Sequence, residues 1–205
     1  RTNIPIRFWL DLLGHLEEED DTIPLGEGLS QMDNIMDKYD DEPDRDRINQ
    51  FINSKILRHY DERVNWTSLS YLDDTKIEDA DIVSRLIRML NSNEIEDISD
   101  KLLEIFHQDF LEPCARQGNN AIPSLCSRVA PIIRPLVYCE GIKRTGRDEF
   151  MQAVDMYLHG IANQEISRVL RALTCSQDTY LLRQLFHTLL DDPETGLFRG
   201  RAVDE

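Results

Sequence analysis

Four cysteines are the residues of this 205-residue chain with the clearest capacity for covalent chemistry. An even number permits two disulfides, and four cysteines allow three pairings. Closing the loops between sequence-adjacent cysteines would contribute roughly 3 and 4 kcal/mol to stability. Zinc ligation is a weaker interpretation because no two of them have the close spacing of a zinc motif, and four buried free thiols would instead be typical of a cytosolic protein. The four are Cys114, Cys126, Cys139 and Cys175.

Asn65-Trp66-Thr67 is the chain's N-glycosylation sequon, and it predicts an oligosaccharide on Asn65. Such triplets often occur by chance, so the sequon alone carries little weight. Together with the even cysteine count, however, it favours an oxidising, exported location. The extracellular face of the cell membrane and the secretory pathway both fit this interpretation.

No combination of residues predicts a catalytic or metal site within the chain. The histidines are far apart in sequence, and none begins the H-E-x-x-H motif of zinc peptidases. Glycine-rich phosphate loops and the G-x-S-x-G elbow are also absent from the sequence. We therefore predict neither catalytic residues nor a cofactor in this chain. The histidines concerned are His15, His59, His107, His159 and His187.

The chain around these residues is predicted to fold into α-helices. Apolar side chains recur every three or four positions, and no segment shows the strict alternation of a strand. These stripes, with glycine, proline and asparagine breaks between them, predict an all-α chain of about ten helices, with Asn163 as one N-cap. Short joints favour antiparallel pairs stacked into a curved, HEAT- or armadillo-like superhelix over residues 1–205. The stripes cover 8–16, 48–60, 82–90, 102–110, 154–161, 166–173 and 181–189.

The formal net charge of -16 is concentrated in the first half of the chain. Residues 1–112 carry 28 acidic and 12 basic side chains, whereas residues 113–205 carry 11 of each. An acidic field repels phosphate backbones and anionic lipid heads, so nucleic acid and a bare membrane are unfavourable partners. The sequence has no apolar run long enough to span a bilayer, and the start at 1–5 is not typical of a signal peptide. Any anchor or export signal is expected outside this sequence.

The stretch from Ile133 to Ile142, followed by Gly146 to Phe150, resembles a family signature. It is similar to the C-terminal helical, endoplasmic-reticulum-aminopeptidase-like domain of aminopeptidase N-type zinc metallopeptidases, the gluzincins. The shared pattern is an arginine, a short apolar step, Val-Tyr-Cys, a glycine turn, an acidic pair and an aromatic residue. Downstream, the segments 165–176 and 180–183 resemble the family in order and spacing. The resemblance covers nearly the whole chain and is strongest over residues 113–190.

The resemblance also implies a cysteine pairing. The interval of 36 residues from Cys139 to Cys175 matches the family's second disulfide, and Cys114 stands where its first disulfide begins. The resemblance implies Cys126 as the partner of Cys114. The family usually spaces that first pair more closely than the 12 positions found here. Phe150 in place of tryptophan and the acidic first half are further departures, typical of a divergent member.

What the resemblance implies is a non-catalytic domain of a cell-surface aminopeptidase. The zinc and its H-E-x-x-H and G-x-M-E-N motifs would lie in a catalytic domain of the same polypeptide. The helical domain would enclose the substrate cavity, contact peptide substrates and contribute a homodimer contact, and its opening would gate substrate entry. One alternative is a stand-alone secreted or surface binding module, receptor-like or toxin-docking, that lacks the peptidase. Another is a cytosolic helical-repeat scaffold with reduced cysteines.

Overall fold

The computed structural model describes residue 11 and residues 13–38, 43–67, 69, 77–93, 95–118, 121–159 and 164–190. The chain forms two compact units: unit 1 contains Arg1–Ser99 with Ala130–Ile132, and unit 2 contains Asp100–Val129 with Ile133–Glu205. Within the described ranges the secondary structure is helical and no strand occurs, which confirms the predicted all-α class. Each helix in those ranges is too short or too polar to be a candidate membrane span. The curved superhelix and the single-domain extent stay predictions.

Unit 1 packs a 3-10 helix and three α-helices around one apolar core. The predicted stripes over 48–60 and 82–90 are confirmed as helical, and their inward residues, such as Ile52 and Leu86, are fully buried. The stripe over 8–16 lies partly outside the described residues, and its end falls in the 3-10 helix. The elements are the 3-10 helix Gly14–Glu18, α1 Thr22–Lys38, α2 Arg45–Arg63 and α3 Ile77–Ser92, followed by α4 Glu96–Ile105.

The 3-10 helix is fastened to α1 and α2 by one close apolar contact and several polar ones. Leu16 lies directly on Gly28, where an added Cβ would be 2.3 Å from the Leu16 Cδ1 atom. The wholly buried His59 places Nε2 2.6 Å from the Leu16 carbonyl oxygen. Lys55 Nζ donates to Glu17 Oε2 at 2.7 Å. Glycine at position 28 therefore makes room for Leu16, and any side chain there would require the Leu16 side chain to move.

Unit 2 is built from the second half of the described chain. Helices occur at the predicted stripes over 102–110, 154–161, 166–173 and 181–189, and α9 packs on both α7 and α8. Leu158 departs from its predicted inward stripe because its side chain is 36% exposed. Ile161 and the predicted N-cap Asn163 lie outside the described residues. The remaining elements are α5 Glu112–Ala115, α6 Pro123–Cys126, α7 Arg134–Arg144, α8 Arg147–His159, α9 Gln164–Leu173 and α10 Thr179–Leu190.

A π-helical turn, Phe106–Leu111, joins α4 to α5 and departs from the regular α-helix that the stripe over 102–110 predicts. π-Geometry shifts the intrahelical bonding, and carbonyl oxygens of this turn accept bonds from neighbouring segments. The Asp109 carbonyl accepts the Arg128 backbone N–H at 2.7 Å, and the Leu111 carbonyl accepts the Gln152 side-chain amide at 3.3 Å. The turn thereby connects α4 to the segment after α6 and to α8.

Candidate functional site: a buried polar cluster in unit 2

Tyr138, in α7, lies at the centre of a buried polar cluster. Its side chain is completely buried, and its ring stacks on Phe110 of the π-turn with centroids 4.1 Å apart. The phenol oxygen lies 2.7 Å from Glu165 Oε1 and 2.8 Å from Ser127 Oγ. A phenol has a single O–H, so the arrangement that satisfies both contacts has Tyr138 donating to the carboxylate and accepting from the Ser127 hydroxyl.

Glu165, at the start of α9, is the acceptor for three side chains. Its carboxylate is 3% exposed, and its Oε2 receives Arg134 NH1 at 3.0 Å and Arg168 NH1 at 2.8 Å. Together with the Tyr138 phenol, these donors occupy both oxygens of the carboxylate. A buried carboxylate is tolerated only when it is paired in this way, because desolvation of an isolated charge costs several kcal/mol.

Arg134 extends the cluster to the segment between α6 and α7. Its Nε donates to the Val129 carbonyl at 2.8 Å, and its NH2 donates to the Ser127 carbonyl at 3.4 Å. The planar guanidinium therefore serves backbone and carboxylate at once, which an ammonium group of Lys could not reproduce in the same geometry. The result is that α7, α9 and the Ser127–Val129 segment are held in one fixed arrangement.

The electrostatics of the cluster favour a structural over a chemical role. Burial is the main cause that raises the pKa of the Tyr138 phenol far above its usual range, and the neighbouring Glu165 carboxylate adds to the effect. The phenol is thus a protonated donor at any physiological pH. Both oxygens of the buried Glu165 carboxylate already accept hydrogen bonds, so neither residue offers a free nucleophile or base to a substrate.

The structure brings the four cysteines together in two pairs. Cys139 follows Tyr138 in α7 and is joined to Cys175, just after α9, with their Cα atoms 5.4 Å apart. Cys114 of α5 is joined to Cys126 of α6 with a Cα separation of 5.0 Å. Every cysteine of the chain is in one of these pairs. The Cys139–Cys175 pair connects α7 to the segment just after α9, so it reinforces the polar link that Tyr138 and Glu165 form between α7 and α9.

The other residues singled out by sequence do not join this cluster. Asn65 is exposed in unit 1, beyond the end of α2. The histidines are dispersed: His59 is buried, His107 is half-buried, and His15 and His187 are exposed, while the His159 side chain is outside the described residues. Among the residues that the structure describes, no group of three His, Cys, Asp or Glu side chains could hold a metal ion.

Two open cavities occur in the described part of the molecule. One, of about 230 Å³, lies in unit 2 beside Cys114, Gln152 and Met156. The other, of about 390 Å³, lies between α1 and α3 in unit 1, beside Gly26 and Ile82. Ligand sites for small molecules are typically about 300–1,000 Å³ and bury most of the ligand. The first cavity is smaller than this range, and the second, although within it, is open to solvent and would not bury most of a ligand, so neither is a convincing site for a small organic molecule.

The sequence analysis predicted no polar cluster: Ser127 and Arg168 were not singled out, and Arg134, Tyr138 and Glu165 were noted only within segments that carry the family resemblance. A signal for the cluster was nevertheless present in α9. Glu165 is adjacent to Ile166 on the buried side of that helix, and a carboxylate on an apolar face requires a buried partner. An arginine immediately before Pro135 at the start of α7 was the corresponding cation.

Comparisons with known proteins agree with the resemblance in the sequence. The family model described as "ERAP1-like C-terminal domain" matches residues 2–197. The chain is 26% identical over 196 residues to the aminopeptidase-like protein AC3.5 of Caenorhabditis elegans, covering 94% of this chain and 17% of that protein. It is 23% identical over 182 residues to an aminopeptidase N of Haemonchus contortus, covering 88% of this chain and 18% of that protein. No solved structure matches significantly. The chain thus spans less than a fifth of the length of these relatives.

Proposed function

Because this chain belongs to the family of ERAP1-like C-terminal domains, we propose that it is the non-catalytic helical part of a zinc aminopeptidase of the aminopeptidase N type. In this proposal it closes over the substrate cavity of a catalytic domain in the same polypeptide and contacts peptide substrates there. The observation that carries the proposal is the family match over residues 2–197, together with similarity to two proteins named as aminopeptidase or aminopeptidase-like. A homodimer contact and a cell-surface location belong to the same proposal.

The residues present do not fit a zinc ion, so the metal of the proposed enzyme is assigned to the catalytic domain. The four cysteines are consumed in pairs, and the described residues contain no group of three potential ligands. When bound in that other domain, zinc would polarise the scissile carbonyl and activate water. This chain would contribute shape and contacts for the peptide.

The buried polar cluster supports a role in shaping a cavity. It lies in the segments that carry the family resemblance, and it fixes three parts of unit 2 relative to one another through Tyr138, Glu165 and Arg134. A rigid wall is needed where a cavity has to hold the distal part of a peptide in register with a catalytic centre, because small displacements there cost large factors in rate. We assign the cluster this positioning role.

The test uses the full-length protein with Glu165→Gln. Removing the charge leaves the partly buried Arg134 and the half-buried Arg168 without their carboxylate partner, which loosens α9 against α7. We expect kcat/KM to fall more for peptides of six or more residues than for an aminoacyl-arylamide, which is too short to reach this domain. The ratio of the two activities in one preparation is the readout, because it is independent of the fraction of folded enzyme.

Glu112→Gln is the matched control. Glu112 pairs with Arg116 on the surface of α5, with both side chains more than half exposed, so its removal is expected to leave the ratio unchanged. Equal ratios for Glu165→Gln, Glu112→Gln and the unaltered enzyme would contradict the positioning role. Zinc-dependent release of amino acids by the isolated 205-residue chain would contradict the non-catalytic assignment.

A second candidate is a stand-alone surface binding module. Both disulfides close within this chain, so unit 2 does not need a covalent link to another domain. The reading frame of the transcript separates the two candidates. An upstream H-E-x-x-H motif in the same frame supports the aminopeptidase, whereas a signal peptide placed directly before Arg1 supports the module.

A further inference from the structure

The sequon Asn65-Trp66-Thr67 forms a defined turn directly after α2. The Thr67 backbone N–H donates to Asn65 Oδ1 at 3.1 Å, and the Thr67 hydroxyl donates to the same oxygen at 2.7 Å. Both side chains are exposed. Two donors on the carbonyl oxygen fix the plane of the Asn65 carboxamide, and the exposure of the residue leaves room for a bulky substituent.

Trp66, the middle residue, anchors this turn to the body of unit 1. Its indole N–H donates to the Tyr60 hydroxyl at 3.1 Å, and its side chain is half-buried. The large residue of the sequon is therefore held against α2, while the residues on either side of it face solvent. The fold thus exposes Asn65, the residue that would receive the glycan, together with Thr67, and packs Trp66 against α2, where it does not cover them.

From this geometry we infer that Asn65 carries an N-linked oligosaccharide in the mature protein. The inference rests on the proposed function to the extent that it requires passage through the secretory pathway. There, a lipid-linked oligosaccharide diphosphate is the donor. Asn65 Nδ2 forms a bond to C1 of the first sugar, the bond from C1 to the diphosphate oxygen breaks, the diphosphate leaves with the bonding electrons, and the amide nitrogen loses one proton to a base of the transferase.

The modification has a consequence for the assembly of the whole protein. A branched, hydrated glycan covers the surface around its attachment point and prevents close packing of another protein there. The end of α2 that carries Asn65 therefore faces solvent in the complete enzyme. The catalytic domain and any second protomer have to contact other surfaces of unit 1.

The test is peptide-level mass spectrometry on the full-length protein secreted from eukaryotic cells. Digestion with an amide-cleaving glycosidase in heavy-oxygen water converts a glycosylated asparagine into a heavy-labelled aspartate. We expect this label at Asn65 in most molecules. An unlabelled Asn65 peptide overturns the inference, whether the protein was secreted without the glycan or never entered the secretory pathway.

Three substitutions make the result specific. Asn65→Gln and Thr67→Ala should both abolish the label, the second while the acceptor asparagine is still present, whereas Thr67→Ser should retain it. Both positions of change, 65 and 67, are exposed, so folding is expected to survive. Persistence of a glycan on Asn65 in Thr67→Ala would contradict sequon-dependent modification.

Aminopeptidase activity measured on the same preparation keeps this inference separate from the proposed function. An active enzyme with an unlabelled Asn65 refutes the glycan and leaves the proposed function standing. A labelled Asn65 on a secreted protein without peptidase activity supports the glycan and counts against the proposed function.

Discussion

The Tyr138 phenol and the Glu165 carboxylate lie 2.7 Å apart across 27 residues of sequence, inside the interior of unit 2. The phenol of α7 donates to the carboxylate of α9, so each helix supplies the hydrogen-bond partner of a buried polar group on the other. The neighbouring Cys139–Cys175 pair joins the same segments covalently. This combination of a covalent and a polar link within one helix pair makes the arrangement of α7 and α9 the best-defined feature of the candidate site.

Tyr138→Phe is expected to lower the free energy of unfolding of unit 2 by about 1–3 kcal/mol. The substitution keeps the stacking on Phe110 but removes the O–H, and a buried acceptor left without its donor costs roughly that amount. Urea unfolding followed by circular dichroism measures the loss, and hydrogen exchange in α7 and α9 locates it.

Tyr180→Phe is the matched control for this substitution. Tyr180 is 58% exposed, and its hydroxyl has only a 3.3 Å contact with the Gln184 amide. Loss of its hydroxyl should change stability by less than about 0.5 kcal/mol. If both tyrosine variants unfold at the same urea concentration as the unaltered protein, the hydrogen bond from Tyr138 to Glu165 does not stabilise unit 2.

Gly141→Ala is expected to destabilise unit 2 by about 1–3 kcal/mol or more. A Cβ at position 141 would lie 2.1 Å from Cγ of Phe106, and the ring cannot withdraw easily because Phe106 is completely buried. Because there is no open space beside Gly141, the added methyl group would force α7 away from the π-turn. The melting temperature of the variant gives the direct measurement.

Gly146→Ala provides the comparison for that steric argument. The nearest neighbour of a Cβ at position 146 is Oε2 of Glu149 at 3.5 Å, which is an ordinary van der Waals contact. Its melting temperature should remain close to that of the unaltered protein. Equal destabilisation by both alanines would indicate a general intolerance at this end of α7 and would contradict a specific clash with Phe106.

The stability of unit 1 should fall on acidification through the loss of the Lys55–Glu17 pair. The hydrogen bond and charge of Lys55 lower the pKa of Glu17 from its ordinary 4.5. A carboxyl whose folded-state pKa is depressed stabilises the fold above its unfolded pKa, and that contribution disappears as pH falls through the folded value. The loss of stability therefore occurs below pH 4.5. Near neutral pH the pair contributes fully, and small changes of pH there leave its contribution unchanged.

Lys55→Met isolates this contribution. The variant should be less stable than the unaltered protein at neutral pH, and the difference should shrink as the pH falls below the folded pKa of Glu17. Lys101→Met removes a comparable exposed pair with Glu104 in α4 and serves as a control for surface charge. Protection of backbone amides in α2, measured by hydrogen exchange across the pH range, reports on unit 1. A constant difference between Lys55→Met and the unaltered protein would contradict the linkage.

The sequence predicted the helices far better than it predicted the contacts among them. The stripe at 82–90 identifies α3 because burial on one helical face imposes a period of 3.6 residues on the apolar positions. The π-turn at Phe106–Leu111 keeps the same four-residue interval between Phe106 and Phe110, so periodicity alone cannot separate it from an α-helix. Its wider geometry depends on partners such as Arg128, which are distant in sequence.

The candidate site could be anticipated only in part for a related reason. Family resemblance drew attention to Tyr138 and Cys139, but resemblance does not say which groups a buried phenol contacts. Ser127 and Glu165 become its neighbours through the packing of the α6–α7 segment and α9. At Leu158 the sequence predicted too much burial. Its spacing places it on the apolar stripe, but it lies at the end of α8 and is 36% exposed.

Removing the Cys139–Cys175 disulfide is expected to destabilise unit 2 more than removing the Cys114–Cys126 disulfide. The first closes a separation of 36 residues and the second a separation of 12, and the loop-entropy relation gives roughly 4 and 3 kcal/mol. Paired alanine substitutions and urea unfolding under non-reducing conditions compare the two losses.

The secreted, native protein should show no thiol that reacts with an alkylating reagent, and all four cysteines should react after reduction and unfolding. Four reactive thiols in the native protein would instead support a cytosolic scaffold, because an oxidising compartment would have closed both pairs.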